Sequence, residues 1–203
     1  MSGRPGVILD RDATLIDVVR DEESGAISVA FHPSQLVFLP GVIDGLEVLR
    51  DAGFVLAIAT NQPAPAKGQF SEAAVQATNR ALVALLQHEG IEIATLEVCM
   101  HHPEGGPGGD ARLVGPCECR KPKPGLLLAA IEHAGLDAKR SWMLGDSTAD
   151  VQAAEAAGVR SALVFPLNRC ELCPLKGGPR VVPDVVASRF DEVARAIVGA
   201  RDP

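Results

Sequence analysis

Apolar runs that stop abruptly at polar residues, and that alternate with stretches of helical periodicity, constrain this chain more than any other feature. Val7-Ile8-Leu9 gives way to Asp10-Arg11-Asp12-Ala13-Thr14, residues 54–59 (FVLAIA) to Thr60-Asn61-Gln62, and Trp142-Met143-Leu144-Gly145 to Asp146. Short continuous apolar runs of this kind are the pattern of strands buried on both faces. Further strands are expected over 96–100 and 162–165. Helix signals lie between the runs. Val42, Leu46 and Leu49 share one face after Pro40-Gly41 and are closed by Gly53, and Val75, Leu82, Leu85 and Leu86 belong to a long helix that Ser71 caps and Gly90 stops. Pro124 opens a helix through Ala134, an alanine-rich helix covers about 149–157 and ends at Gly158, and an amphipathic one covers 190–198. Residues 24–39 read as a loop or small hairpin, with Gly25 and Pro33 as breakers. The alternation predicts an α/β fold in which helices cover a parallel sheet. Parallel strands bring their carboxyl ends to one edge, where open α/β sheets place ligands.

At 203 residues, with no repeat, low-complexity segment or convincing linker, residues 1–203 are expected to form a single domain. A net charge of -7 without a Lys/Arg cluster argues against a nucleic-acid partner, because counterion release rewards a basic face. A small anionic metabolite needs only a few local cations. No stretch has the apolar length of a membrane-spanning helix, and Met1-Ser2-Gly3-Arg4-Pro5-Gly6 is no signal peptide, so the expected location is cytoplasmic. The sequence does not specify the oligomeric state; a monomer is the starting expectation. The five cysteines are odd in number and clustered, which suits metal binding in a reducing compartment better than a disulfide framework.

Asp10 and Asp12, two residues apart at a strand end, share one face in extended backbone with Arg11 directed away, and suggest a nucleophile beside a proton shuttle. A polar turn in which Asp12 or Thr14 caps a helix is the structural alternative. Thr60 or Ser147 as a helix cap, Lys121 as solvated charge and Asp146 as a turn residue are equally available when each is taken alone. A second constellation is Cys99-x-His101 followed by Cys117-x-Cys119. It supplies three thiolates and one imidazole, a set for a closed, structural, tetrahedral Zn²⁺ site at the feet of a loop over about 99–119. The intervening Pro103-Glu104-Gly105-Gly106-Pro107-Gly108-Gly109 has little with which to build a core and would gain order from a metal clip. Reduced structural thiols or a disulfide are the alternatives. His102 reads as a polar loop residue, and Cys170-x-x-Cys173 as reduced loop thiols, with a disulfide or an intermolecular metal still open. His32, His88 and His133 belong to no constellation, and Trp142 reads as core.

In their order along the chain, Asp10-x-Asp12-x-Thr14, Thr60-Asn61-Gln62, Lys121-Pro122-x-Pro124 and Gly145-Asp146-x-x-x-Asp150 resemble the four motifs of the haloacid dehalogenase superfamily, over residues 7 to about 157. The resemblance implies a Rossmann-like, doubly wound sheet and an aspartyl-phosphate mechanism in which Asp10 is nucleophile and Mg²⁺ ligand. Asp12 would act as general acid and then base, with its backbone carbonyl on Mg²⁺, and Asp146 would be a further Mg²⁺ ligand. Thr60 and Lys121 would hold phosphoryl oxygens, while Asp150 would orient the metal site without ligating it. The presence of Asp12 favours ester hydrolysis over dehalogenation, since a departing halide needs no proton.

The cysteine loop narrows the resemblance. Cys99-Met100-His101-His102-Pro103 with Cys117-Glu118-Cys119-Arg120-Lys121-Pro122 is similar to heptose-bisphosphate phosphatases and histidinol-phosphate phosphatases, which lack a large cap domain. Here Arg120, with Asn61, would bind substrate, and the zinc loop would wall the site. Heptose 1,7-bisphosphate is the expected substrate. Histidinol phosphate and non-catalytic binding of a phosphometabolite are the alternatives. Four departures from the family pattern stand out: Ala13 where glycine is usual, Pro63-Ala64-Pro65 in place of a serine-glycine pair, a long acidic segment over 18–32, and Ser147 where the heptose enzymes tend to carry lysine.

Overall fold

The computed structural model describes residues 3–23, 25–165 and 182–200. Cys170 and Cys173 lie outside the described residues. In chain order the elements are β1 (Gly6–Leu9), a hairpin of β2 (Val19–Arg20) and β3 (Ile27–Ser28), α1 (Val42–Asp51), β4 (Val55–Asn61), α2 (Glu72–His88), β5 (Thr95–Cys99), α3 (Gly125–Ala134), β6 (Trp142–Gly145), α4 (Thr148–Ala157), β7 (Arg160–Val164), β8 (Val185–Ala187) and α5 (Phe190–Gly199).

All four residues of β1 are buried, because β1 lies at the centre of a six-stranded sheet ordered β5-β4-β1-β6-β7-β8. Every pairing in it is parallel. Counted along the sheet's own strands, the order is the doubly wound one whose direction of winding reverses beside the first strand. Successive strand residues face opposite ways. Val7, Leu9, Leu56, Ile58, Trp142 and Leu144 therefore enter one core with Leu46 and Leu49 of α1, Leu82 and Leu86 of α2, and Phe190, Val193 and Ile197 of α5. Ile8, Ala57, Ala59 and Met143 enter the other with Leu126, Leu127 and Ala130 of α3 and Ala153 and Ala154 of α4. Among the described residues no helix is long and apolar enough to cross a membrane.

The structure departs from the sequence expectations at the margins of elements. The hairpin begins before residue 24, pairing Val19 with Ser28 and Arg20 with Ile27, since Gly25 adopts a φ of 70° and donates its N–H to the Asp21 carbonyl at 2.8 Å. β7 starts at Arg160 rather than residue 162, because Arg160 stacks its guanidinium 3.9 Å over the Trp142 ring and Ser161 bonds Asp184. Polar partners stand in there for an apolar pattern. β8 is too short and too exposed to show a period. It exists through its register with β7, Ala162 opposite Val185 and Val164 opposite Ala187.

Candidate active site

The winding of the sheet reverses between β1 and β6, and the residues that leave those strands meet there. The Asp10 N–H donates to the Leu144 carbonyl at 2.9 Å, which extends the ladder one step beyond Leu9 and fixes the aspartate at the sheet edge. Asp10, Asp12, Ala13, Thr60, Asn61, Lys121, Asp146, Ser147 and Asp150 line one cavity of about 330 Å³, overhung by Val18, Ile27, Ser28 and Val29 of the hairpin region.

Lys121 organises the floor of this cavity. Its Nζ donates to Asp10 Oδ1 at 2.8 Å and to the Ala59 carbonyl at 2.8 Å, and lies 2.7 Å from Asp150 Oδ1. The loop that carries it is clasped to the end of β4: Asn61 Nδ2 donates to the Lys121 carbonyl at 3.0 Å, and the Lys121 N–H to Asn61 Oδ1 at 3.1 Å. Both ends of the Asn61 amide thus engage Lys121 backbone at the cavity rim. Asp150 turns its other oxygen, Oδ2, to the N–H and hydroxyl of Ser147, at 3.1 and 2.5 Å. It thereby closes the first turn of α4 and braces Lys121 at once. A Cβ on Gly145 would collide with the Asp150 carboxyl, which accounts for the glycine of Gly145-Asp146-x-x-x-Asp150.

The electrostatics follow from burial. Loss of solvent pushes the Asp10 carboxyl up to about 6, with Lys121 opposing and Asp150 and Asp12 assisting. Burial, with the Asp10 and Asp150 charges, holds Asp146 well above the usual carboxylate range. For Lys121, burial alone would favour the neutral amine, but the Asp10 and Asp150 carboxylates outweigh it and the pKa is raised. Ligand oxygens of Asp10, Asp146 and Asp150 lie within 4.8 Å of one another. Hard oxygen donors crowded against their own repulsion suit Mg²⁺, whose charge would lower the same pKa values.

Asp12 is held separately. Arg11, expected to be directed away, brings its guanidinium back onto the Asp12 carboxylate, Nε to Oδ2 at 3.1 Å and Nη2 to Oδ1 at 2.9 Å. Gln62 Nε2 adds a bond to Oδ2 at 2.6 Å and one to Thr60 Oγ1 at 2.9 Å. Arg11 is fully buried and reaches Asn79 of α2 as well. Motif reading passed over Arg11, Gln62 and Asn79. The available signal was an arginine held between two aspartates at the end of a wholly buried strand, a place with little room for solvated charge. Ala13 has a φ of 57°, the left-handed region in which glycine is at ease and alanine is strained.

The second constellation gathers beside the cavity. Cys99, His101, Cys117 and Cys119 bring one ligand atom each within 4.8 Å of the others. The Cys119 and Cys99 sulfurs are 3.0 Å apart, and His101 Nδ1 lies 3.5 Å from Cys119 Sγ. Burial pushes the Cys99 and Cys119 thiols up, and a Zn²⁺ ion is the partner that makes such a thiol set ionise. The His102 ring instead accepts the Gly105 N–H at 3.0 Å, as a loop residue does. Pro65 in the stiff turn after β4 accepts the Asp110 N–H at 3.0 Å, so that turn props the loop. Arg120 reaches across to the His101 carbonyl at 3.3 Å; its side chain is tied to the loop and Arg120 is not among the residues lining the cavity.

A doubly wound sheet with Asp10, Thr60, Lys121 and Asp146 at one edge is the arrangement of haloacid dehalogenase-like hydrolases, and residues 118–165 match the family model described as HAD-hydrolase-like. The chain is 35% identical to the D-glycero-beta-D-manno-heptose-1,7-bisphosphate 7-phosphatase of Escherichia coli K12 over 199 residues, 98% of this chain and 96% of that protein. Against the Pseudomonas putida protein of the same name it is 35% identical over 158 residues, 78% and 81% of the two chains. Its fold superposes on the D,D-heptose 1,7-bisphosphate phosphatase of B. bronchiseptica, crystallised with magnesium and phosphate, with a TM-score of 0.73 at 27% identity, covering 96% of this chain and 98% of that one. The chain belongs to the D-glycero-beta-D-manno-heptose-1,7-bisphosphate 7-phosphatase family of the haloacid dehalogenase-like phosphatases.

Proposed function

We propose that the protein is a Mg²⁺-dependent phosphomonoesterase whose substrate is a small sugar phosphate, D-glycero-D-manno-heptose 1,7-bisphosphate, acting as a single domain with no separate cap. The observation that carries this reading is the setting of Asp10. Its carboxylate is fixed by Lys121 at 2.8 Å among converging acidic oxygens, and the differently anchored Asp12 opens onto the same cavity.

An Asp10 oxygen attacks phosphorus, forming an aspartyl phosphate as the bond to the sugar oxygen breaks. Asp12 gives that oxygen its proton. Water then attacks the aspartyl phosphate, Asp12 takes the water's proton, and the bond from phosphorus to Asp10 breaks to release inorganic phosphate. Thr60 Oγ1 and Lys121 Nζ hold the transferring oxygens as preorganised donors. Asp10, Asp146 and the Asp12 carbonyl would hold Mg²⁺, which when bound would supply the positive charge that lets a carboxylate approach an anionic phosphate. Asp150 acts through Lys121 and Ser147, which it touches, and Asn61 through the Lys121 backbone. Arg120 binds substrate from the rim, set by its bond to the zinc loop. Cys99, His101, Cys117 and Cys119 would hold Zn²⁺ in a structural role, since four protein ligands would leave it no open position. The thiol set suits a reducing compartment, and the cytoplasm is its proposed location.

The test is phosphate release with Mg²⁺ from heptose bisphosphate, histidinol phosphate and simple sugar phosphates. Heptose bisphosphate should give the highest kcat/KM, and Asp10→Asn should lower kcat by at least about a thousandfold without loss of fold. A fully active Asp10→Asn, or no phosphate from any ester, ends the proposal; a preference for histidinol phosphate replaces the substrate.

A further inference from the structure

We propose that Arg11 is a positioning residue which, together with Gln62, holds the Asp12 carboxylate at the angle from which it protonates the leaving oxygen. The inference rests on the reading of Asp12 as proton shuttle given above. Arg11 is fully buried, and the contacts of its guanidinium are all with acceptors. Nε and Nη2 grip the two Asp12 oxygens at 3.1 and 2.9 Å. Nη2 also meets the Ala30 carbonyl at 2.9 Å and Gln62 Oε1 at 3.0 Å, and Nη1 meets Asn79 Oδ1 at 2.6 Å. A planar fork on both oxygens sets the plane of a carboxylate, which the point charge of a lysine does not do.

Three further observations point to orientation rather than to a brace for the turn. First, Asn79 faces Arg11 with its carbonyl while its own Nδ2 is buried without a partner; that amide is turned to suit the arginine. Second, Gln62 spans from Asp12 Oδ2 at 2.6 Å to Thr60 Oγ1 at 2.9 Å, so one side chain relates the proton donor to the hydroxyl that holds the phosphoryl group. Third, the anchorages lie away from the sheet edge: Asn79 on α2, and Ala30 two residues beyond β3 of the hairpin that overhangs the cavity. Asp10 is set by Lys121, and Asp12 by this separate frame. The nucleophile and the proton donor therefore depend on different residues.

The two esters of a simple kinetic comparison separate this role from general damage. A sugar phosphate needs a proton on its departing oxygen, whereas 4-nitrophenyl phosphate leaves as a stabilised phenolate. With Mg²⁺ and the sugar phosphate that the wild type hydrolyses best, Arg11→Lys should lower kcat/KM, which reports formation of the aspartyl phosphate and not its hydrolysis, about tenfold to a hundredfold, the scale of a misplaced group. The loss on 4-nitrophenyl phosphate should be at least about tenfold smaller. Gln62→Ala should show the same discrimination in weaker form, on top of an equal loss on both esters through Thr60. Equal losses of kcat/KM on the two esters in both variants overturn the proposal. If circular dichroism shows Arg11→Lys unfolded, Gln62→Ala, which removes no charge, carries the test alone. Failure of the underlying reading looks different: a wild type that releases phosphate from neither ester, or an Asp12→Asn whose kcat/KM falls equally on both, removes Asp12 as the shuttle and this proposal with it.

Discussion

The cavity at the sheet edge and the loop that carries the cysteines lie side by side, joined by the run Cys119-Arg120-Lys121, yet they are held by opposite means. In the cavity, charges of both signs meet: Lys121 between Asp10 and Asp150, Arg11 on Asp12. Asp10, Arg11 and Asp12 follow directly from β1, Asp150 sits in the first turn of α4, and Lys121 is clasped to the end of β4; the apolar residues of these elements are already fixed by the two cores. The loop has no such balance. Its converging groups are thiols and one imidazole, and residues 103–109 are glycine, proline and one glutamate. Opposite charges can preorganise a site from within the protein, whereas a set made only of metal donors depends on the ion for its order.

The sharpest way to break this comparison is at Lys121. Lys121→Met leaves Asp10 and Asp150 as buried carboxylates without their cation, and should cost about 3–5 kcal/mol of stability and about a hundredfold to a thousandfold in kcat. Denaturant unfolding and steady-state kinetics measure the two. A variant as stable as the wild type in chelator would mean that the lysine is not the counter-charge on which the cavity rests. Next in size is the loop. Cys117→Ser combined with Cys119→Ser should abolish a stoichiometry of about one zinc per chain, the one-ion load of a four-ligand site, and lower stability by about 3 kcal/mol, the loop-closure value for a cross-link of roughly this span. Chelation should reproduce that loss in the wild type and add nothing to the double variant. Equal chelator sensitivity in both proteins would place the stabilising metal elsewhere.

The same contrast explains what was legible in the sequence. The parallel sheet with helices on its faces follows from apolar runs and helical spacing, because β1, β4 and β6 are buried on both faces and show no polar interruption until their carboxyl ends. The metal-donor set was legible because thiols at C-x-H and C-x-C spacing have few other uses. Asp10, Thr60, Lys121 and Asp146 could be read from resemblance to known motifs, and they line the cavity together. Arg11 could not be read that way. An arginine in a sequence is by default a solvated charge, and only tertiary structure brings Asn79, 68 residues away, and Gln62, 51 residues away, to its guanidinium. β8 and the early start of β7 were missed for a related reason, since their order comes from partners rather than from a period of their own.

Ala13 gives a smaller test on the cavity side. A left-handed backbone costs an L-residue roughly 1–2 kcal/mol, and glycine avoids that while giving back about 0.5–1 kcal/mol through a freer unfolded chain. Ala13→Gly should therefore stabilise the protein by about 0.5–1 kcal/mol, read from denaturant midpoints at unchanged slope. A destabilised variant would show that the buried methyl packs well enough to offset its torsion.

The smallest effect lies where the supports of the two regions meet. Glu97, on β5 two residues before Cys99, contacts His133 Nδ1 of α3 at 2.8 Å, and α3 follows directly from the loop that carries Lys121. The hydrogen bond, then the charge of Glu97, raises the His133 pKa. A raised folded-state value means that the folded protein holds this proton more tightly than the unfolded chain does. The contribution is complete below the ordinary imidazole pKa of about 6.5 and disappears as pH climbs through the raised value. Glu97→Gln removes the charge, so its stability deficit should be greatest in mild acid and shrink as pH rises through that window, while an NMR titration of His133 moves back toward the ordinary value. Because His133 is exposed, the deficit should be well below that of the double cysteine variant. A His133 titration that does not move in Glu97→Gln would show that this contact does not tie β5 to α3, leaving the loop and the cavity joined through Cys119-Arg120-Lys121 and the Pro65 prop.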